Sequence, residues 1–177
     1  LISLNPNVPQ TTDQLNDEVN KVYAWLCSNK LSLNISKTKT INFRTKHRSG
    51  NMHKILIDRQ PIQNVEQFNF LGILIDNNLT WKPHTDKIAL KISQITGTIN
   101  KLKHIIPQYA LLNIYNALIL PHLSYGILAW GKNNNIKAIL KIQKKTVRAI
   151  SKSSYNSHTD PLFKRLKLLK VNDIRKY

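Results

Sequence analysis

The chain has 177 residues, 41% of them hydrophobic, which is enough for one large domain or two small ones with a real core and too apolar for a disordered segment. Twenty-seven Lys and Arg against nine Asp and Glu leave a formal charge of +18, and the pI near 10.2 selects polyanionic partners, nucleic acid before an anionic membrane. The single cysteine, Cys27, excludes an internal disulfide framework and a multi-cysteine zinc site, as expected for an intracellular protein of the nucleus or cytoplasm. The opening LISLNPNVPQ has neither the basic start nor the apolar run of a secretory signal, and it begins as if cut from a longer chain. Charge is uneven, with net +4 over residues 1–50, −1 over 51–80, +4 over 81–130 and +11 over 131–177.

In chain order, Thr11 and Gln14 have capping-box spacing, and Leu15, Val19, Val22 and Leu26 follow with helical period, which predicts an amphipathic helix packed on a sheet and ended by Asn29-Lys30. Leu31, Leu33 and Ile35, then Ile41 and Phe43, alternate with polar residues as strands do. A loop is expected over 44–51, a strand over Lys54 to Ile57, a turn over Asp58 to Pro61, and another strand from Ile62. In the stretch Val65 to Lys91, alternating Phe68, Phe70, Leu71, Ile73 and Ile75 are interrupted by Gly72 and followed by the turn residues Asp76-Asn77-Asn78, a hairpin feeding a helix. A glycine within a strand marks a bulge or a close approach of another backbone.

Beyond Trp81 the period lengthens to that of a helix. Thr85 or Asp86 can cap a helix running past Lys101, with Ile88, Ile92, Ile95, Ile99, Leu102 and Ile106 as its apolar seam and Lys87, Lys91, Gln94, Thr98 and Lys101 on another face. Residues 105–131 carry no Asp, Glu, Lys or Arg, but Pro107 and Pro121 cut them into pieces shorter than the roughly 20 residues a membrane span needs, so two buried helices are expected and no membrane insertion. Next, Ile136, Leu140, Val147 and Ile150 form a seam and Lys137, Lys141, Lys144, Arg148 and Lys152 one exposed face. Asp160-Pro161 opens a helix through Leu169, and Asn172 can cap another. The fold class is α+β, with sheet and hairpin up to residue 80 and helices from 81 to 177.

The segments WLCSNKLSLNISKTKTINF from Trp25 and FLGILIDNNLTWKPHTDKI from Phe70 resemble the C-terminal part of LINE-type (non-LTR retrotransposon) reverse transcriptases. The resemblance implies that residues 1–80 are the end of the polymerase palm, including a primer-grip hairpin, and 81–177 a helical thumb with its connection. RNA template and DNA primer are the implied partners, together with the N-terminal part of the polymerase. Phe70, Leu71 and Gly72 would be the primer grip, whose glycine lets backbone approach sugar and phosphate closely. Lys37, in the Asn34-x-x-Lys37-Thr38 element, would sit near the triphosphate of the incoming nucleotide, with Lys39 as an alternative. The stripe Lys87, Lys91, Gln94, Thr98 and Lys101 would track template and primer through phosphates, and the Lys137 to Lys152 face would bind template RNA. Each of these is also what an ordinary solvated helix face or strand entry presents.

Intact relatives join nucleotides with two Mg²⁺ ions, which requires converging carboxylates. The nine acids here are Asp13, Asp17, Glu18, Asp58, Glu66, Asp76, Asp86, Asp160 and Asp173, and the adjacent pair Asp17-Glu18 diverges by about 100° on a helix. No catalytic residue and no metal site are therefore expected in the chain itself; in the family pattern the metal-binding aspartates lie upstream. His47, His53, His84, His104, His122 and His158 show no metal-ligand spacing. Trp25, Trp81 and Trp130 are expected in the core, and Cys27 in helix packing. The alternative to a polymerase piece is a non-enzymatic, basic, helical nucleic-acid-binding protein derived from such an element.

Overall fold

The computed structural model describes residues 12–45 and 54–176; Thr11, most of the expected 44–51 loop, His47 and His53 lie outside them. The chain divides into two compact units. One takes in the described residues up to Asn69 together with Asp76–Leu79, and the other takes in Phe70–Ile75 and everything from Thr80.

In the first unit, α1 (Thr12–Ser28) lays Leu15 against Ile55, Ile57 and Ile62, with Val19, Tyr23, Leu33 and Ile35 around them. Asn16 ties this helix to the chain opposite: its Oδ1 accepts from the Leu56 N–H at 2.9 Å and its amide donates to the Lys54 carbonyl. The helix ends where Lys30 turns left-handed (φ 56°), its N–H bonding the Cys27 carbonyl and the Leu31 N–H the Leu26 carbonyl. Trp25 is 60% exposed, and Val22 and Cys27 are exposed too, contrary to the expected packing. The strands below are only two residues long and leave the last turns of the helix uncovered.

The strand expected at Leu31 to Ile35 does not form. Asn34 accepts the Lys37 N–H on its side chain and starts a 3₁₀ turn, Ile35–Lys37, which displaces a strand ladder. What remains is β1 (Lys39–Thr40), parallel to β4 (Gln63–Asn64), while β2 (Leu56–Ile57) and β3 (Gln60–Pro61) form a hairpin. Its turn is confined to Asp58-Arg59, both left-handed as two-residue hairpin loops favour.

The strands β5 (Gln67–Phe70) and β6 (Ile73–Asp76) pair through the two-residue turn Leu71-Gly72, with φ of 48° and 85°. Gly72 is therefore a turn residue and not a bulge. Its near neighbour is the Tyr125 ring, 3.6 Å from where a Cβ would stand, and not another backbone.

The second unit is helical. Here α2 (Lys82–Leu102) packs against α6 (Ile136–Ile150) more extensively than any other pair of elements, burying Ile88, Ile92 and Ile99 beside Ile139, Val147 and Ile150. Helix α2 starts before the expected caps: Trp81 holds the cap position in a left-handed conformation, and Thr85 lies inside, its hydroxyl turned back to the Trp81 and Lys82 carbonyls. Two buried hydroxyls, of Thr96 and Thr146, meet 2.6 Å apart across this interface. One donates across and the other to its own preceding turn, so neither proton is stranded.

The uncharged stretch makes three pieces and not two: α3 (Gln108–Leu118), α4 (Leu120–Ser124) and α5 (Ile127–Trp130). Only one side of them is buried, through Leu111, Tyr115, Leu123 and Trp130, whereas Tyr109, Leu118, Tyr125 and Leu128 are exposed. Among the described residues no helix is long and apolar enough to cross a membrane.

Helix α7 (Thr159–Arg165) stops short of Leu169 because Lys167 turns left-handed, and Asp160 lies in its first turn, its carboxylate paired with Lys170 at 2.9 Å. Helix α8 (Val171–Ile174) begins before Asn172. Its first N–H, on Val171, is taken by the fully buried Gln143, whose amide also donates to the Tyr115 hydroxyl and the Leu169 carbonyl. The whole is a mixture of helices and short strand pairs, as the α+β expectation requires.

Candidate nucleic-acid interface

The hairpin tip is exposed above and fastened below. Leu71 is 74% and Phe70 46% exposed, while the Tyr125 hydroxyl donates to the Leu71 carbonyl at 2.6 Å. Beneath, the Leu74 N–H donates to Nδ1 of the buried His84, which must be neutral to accept it. The His84 ring meets Trp130 edge to face, and the Trp130 indole N–H donates to the Tyr125 carbonyl, closing the support. Gly126 (φ 61°) lies so close under Ile73 that a Cβ there would stand 2.4 Å from the Ile73 Cδ1.

On α2 the residues Lys87, Lys91, Gln94, Thr98 and Lys101 are all exposed, on a face other than the Ile88, Ile92 and Ile99 seam. Their charge is felt by neighbouring imidazoles. Burial first, and then Lys87, lowers the His84 pKa; burial and then Lys91 lower that of His122. Lysines held on one face without reading bases suit contact with successive phosphates.

The Lys137 to Lys152 face is interrupted. Lys137, Lys141, Lys144 and Arg148 lie on α6, with Lys144 and Arg148 half-buried, but the helix ends at Ile150 and Lys152 lies in the following turn at φ 51°. Lys152 therefore does not continue the row. The Arg148 Nε donates to the Ser157 carbonyl and anchors the segment after α6.

Lys37 and Lys39 belong to the first unit. Lys37 is exposed, while the Lys39 ammonium donates to the Gln63 side chain at 2.7 Å and is half-buried, so Lys37 is the freer of the two. Among the described residues no three His, Cys, Asp or Glu side chains are grouped to hold a metal ion. Trp130 is in the core and Trp81 packs against it, as expected. The sequence reading missed Tyr125, Gln143, Lys145 and Tyr155. Tyr125 precedes a glycine at a helix end, the one local hint that it leaves the buried face.

Comparison with known proteins gives the class: the chain is similar to RNA-directed DNA polymerases of mobile elements, in agreement with the resemblance its motifs carry. The particular relatives include the probable RNA-directed DNA polymerase from transposon X-element of Drosophila melanogaster, 26% identical over 166 residues that take in 91% of this chain and 18% of the relative. The polymerase from mobile element jockey of Drosophila melanogaster is 23% identical over 98% of this chain and 19% of the relative, and that of Drosophila funebris 22% identical over 94% and 18%. The chain thus spans about a fifth of the length of the curated relatives it matches. No protein-family model matches the chain, and no solved structure does.

Proposed function

We propose that this chain is the part of a non-LTR retrotransposon reverse transcriptase that holds the primer-template duplex, with residues 1–80 as the end of the palm and 81–177 as the thumb and its connection. The similarity to mobile-element polymerases over 91 to 98% of the chain carries the reading. The exposed tip Phe70-Leu71-Gly72 supports it by offering backbone and apolar surface to a strand end. Gly72 lets the two-residue turn take φ 85° and keep its tip exposed, with the Tyr125 ring behind it. Behind it, Lys87, Lys91 and Lys101 neutralise duplex phosphates, with Gln94 and Thr98 hydrogen-bonding between them. Lys37 serves the triphosphate side. There a lysine binds phosphate or protonates the departing pyrophosphate.

In this reading the carboxylates that hold Mg²⁺ come from outside the described residues, and the chain on its own grips without polymerising. A photo-crosslinking residue placed at Leu71 tests the grip: adducts should map to the 3′-terminal nucleotides of the primer. Adducts spread along the duplex, or none, would refute it. Primer extension by the purified chain would refute the division of labour.

A further inference from the structure

The segment after α6 folds back on that helix and leaves an open cleft of about 330 Å³ lined by Lys141, Lys144, Lys145, Arg148, Tyr155 and Asn156. Its size is at the low end of the roughly 300–1,000 Å³ of ligand clefts. Four of the six lining residues are cations, and none forms an ion pair among the described residues. The nearby carboxylate of Asp160 is paired with Lys170 and also feels the Lys144 charge. Arg148 spends Nε on the Ser157 carbonyl, which fixes the cleft wall and leaves its terminal amino groups for an anion. The Ser154 and Ser157 hydroxyls, 2.8 Å apart, tie the same segment to itself.

Tyr155 distinguishes this cleft from a plain cationic face. Its ring is 75% exposed beside four positive charges, although burial of an aromatic ring is favourable. An exposed aromatic next to a cationic groove is the arrangement that binds single strands: the ring stacks on an unpaired base and the cations hold its phosphate. In a duplex, base faces are already stacked and the ring has nothing to meet.

We propose that this cleft is a subsite for one phosphate and one unstacked base of a single-stranded nucleic acid, with Tyr155 as the stacking platform and Lys141, Lys144, Lys145 and Arg148 as the phosphate cradle. This rests on the nucleic-acid reading above, and deepens it by assigning an unpaired strand to a place separate from the α2 stripe.

The test measures binding of the whole chain to a labelled oligouridylate of about 12 nucleotides, long enough for one such site, to the matching oligothymidylate and to a blunt duplex. Tyr155→Ala should weaken both single strands about tenfold and leave the duplex unchanged, while Tyr155→Phe keeps affinity. Lys145→Gln should flatten the single-strand salt dependence by about 0.7 log units for each phosphate it ceases to neutralise. Single-strand affinity indifferent to Tyr155→Ala, or an equal loss on the duplex, would overturn the subsite. So would displacement of the strand by uridine monophosphate at equal concentration, which would identify a free nucleotide as the ligand. If duplex binding persists while Tyr155 proves irrelevant, only the cleft fails; if the single-strand effect appears while Leu71 does not crosslink to a primer end, only the primer-grip reading fails.

Discussion

The Tyr125 hydroxyl donates a hydrogen bond of 2.6 Å to the Leu71 carbonyl, joining the end of a helix to the tip of a hairpin 54 residues away in sequence. Both partners are exposed, so water competes and the bond contributes about 0.5–1.5 kcal/mol at most. Its work is positional. Tyr125→Phe should lower stability by under about 1 kcal/mol and accelerate amide hydrogen exchange across the Leu71-Gly72 turn, with little change in α6.

Gln143 joins α3, α6 and the start of α8 with a buried amide that bonds Tyr115 and Val171 inside and the Leu169 carbonyl nearer the surface. Truncation strands the buried Val171 N–H away from water and removes the partner of the Tyr115 hydroxyl. Gln143→Ala should cost about 3 kcal/mol or more in urea unfolding, and Gln143→Glu should not rescue it, since a carboxylate cannot donate to the Leu169 carbonyl.

His84 carries an acid sensitivity with a definite sign. Its pKa is lowered in the folded chain, by burial and then by Lys87, so below the unfolded value near 6.5 the unfolded state binds more protons. Its contribution is therefore complete above that value, declines as pH falls below it, and levels off beneath the folded pKa. Protonation of Nδ1 would also remove the acceptor for the Leu74 N–H. In urea unfolding followed from slightly alkaline to mildly acidic pH, His84→Asn, which keeps an acceptor near Nδ1, should show a shallower decline than the wild-type chain; an identical slope would exclude His84 as the source.

Lys30, Lys152 and Lys167 each end a helix in a left-handed conformation that glycine adopts without strain. Lys167→Gly should stabilise by about 0.5 kcal/mol, the relieved backbone strain exceeding glycine's extra unfolded-state freedom. A thermal melt shows the sign.

Lys152 and Lys167 also explain where the sequence was hardest to read, whereas the end of α1 at Asn29-Lys30 was legible. Without the glycine that signals a helix end, α6 looked long enough to carry Lys152 and α7 to reach Leu169. Long, periodic elements were legible: the Ile88, Ile92 and Ile99 seam and the stripe on another face follow from spacing alone. Elements decided by one side chain were not. Asn34 diverted an alternating pattern into a 3₁₀ turn, and Gln143, polar and mid-helix, gave no sign of being the buried partner of Val171. Apolar content marked residues 105–131 as buried, yet Tyr109, Leu118 and Leu128 on one side of them face water. Of the site, the basic rows were visible as periodicity, whereas Tyr125 and Tyr155 acquire meaning only from what the fold places beside them.

If α2 is a rail for duplex phosphates, the salt dependence of primer-template binding must run through it. With Lys87, Lys91 and Lys101 all changed to Glu, affinity should fall, and the slope of log affinity against log salt should flatten by about 0.9 for each phosphate the rail no longer neutralises. A slope equal to that of the wild-type chain would contradict this role for α2.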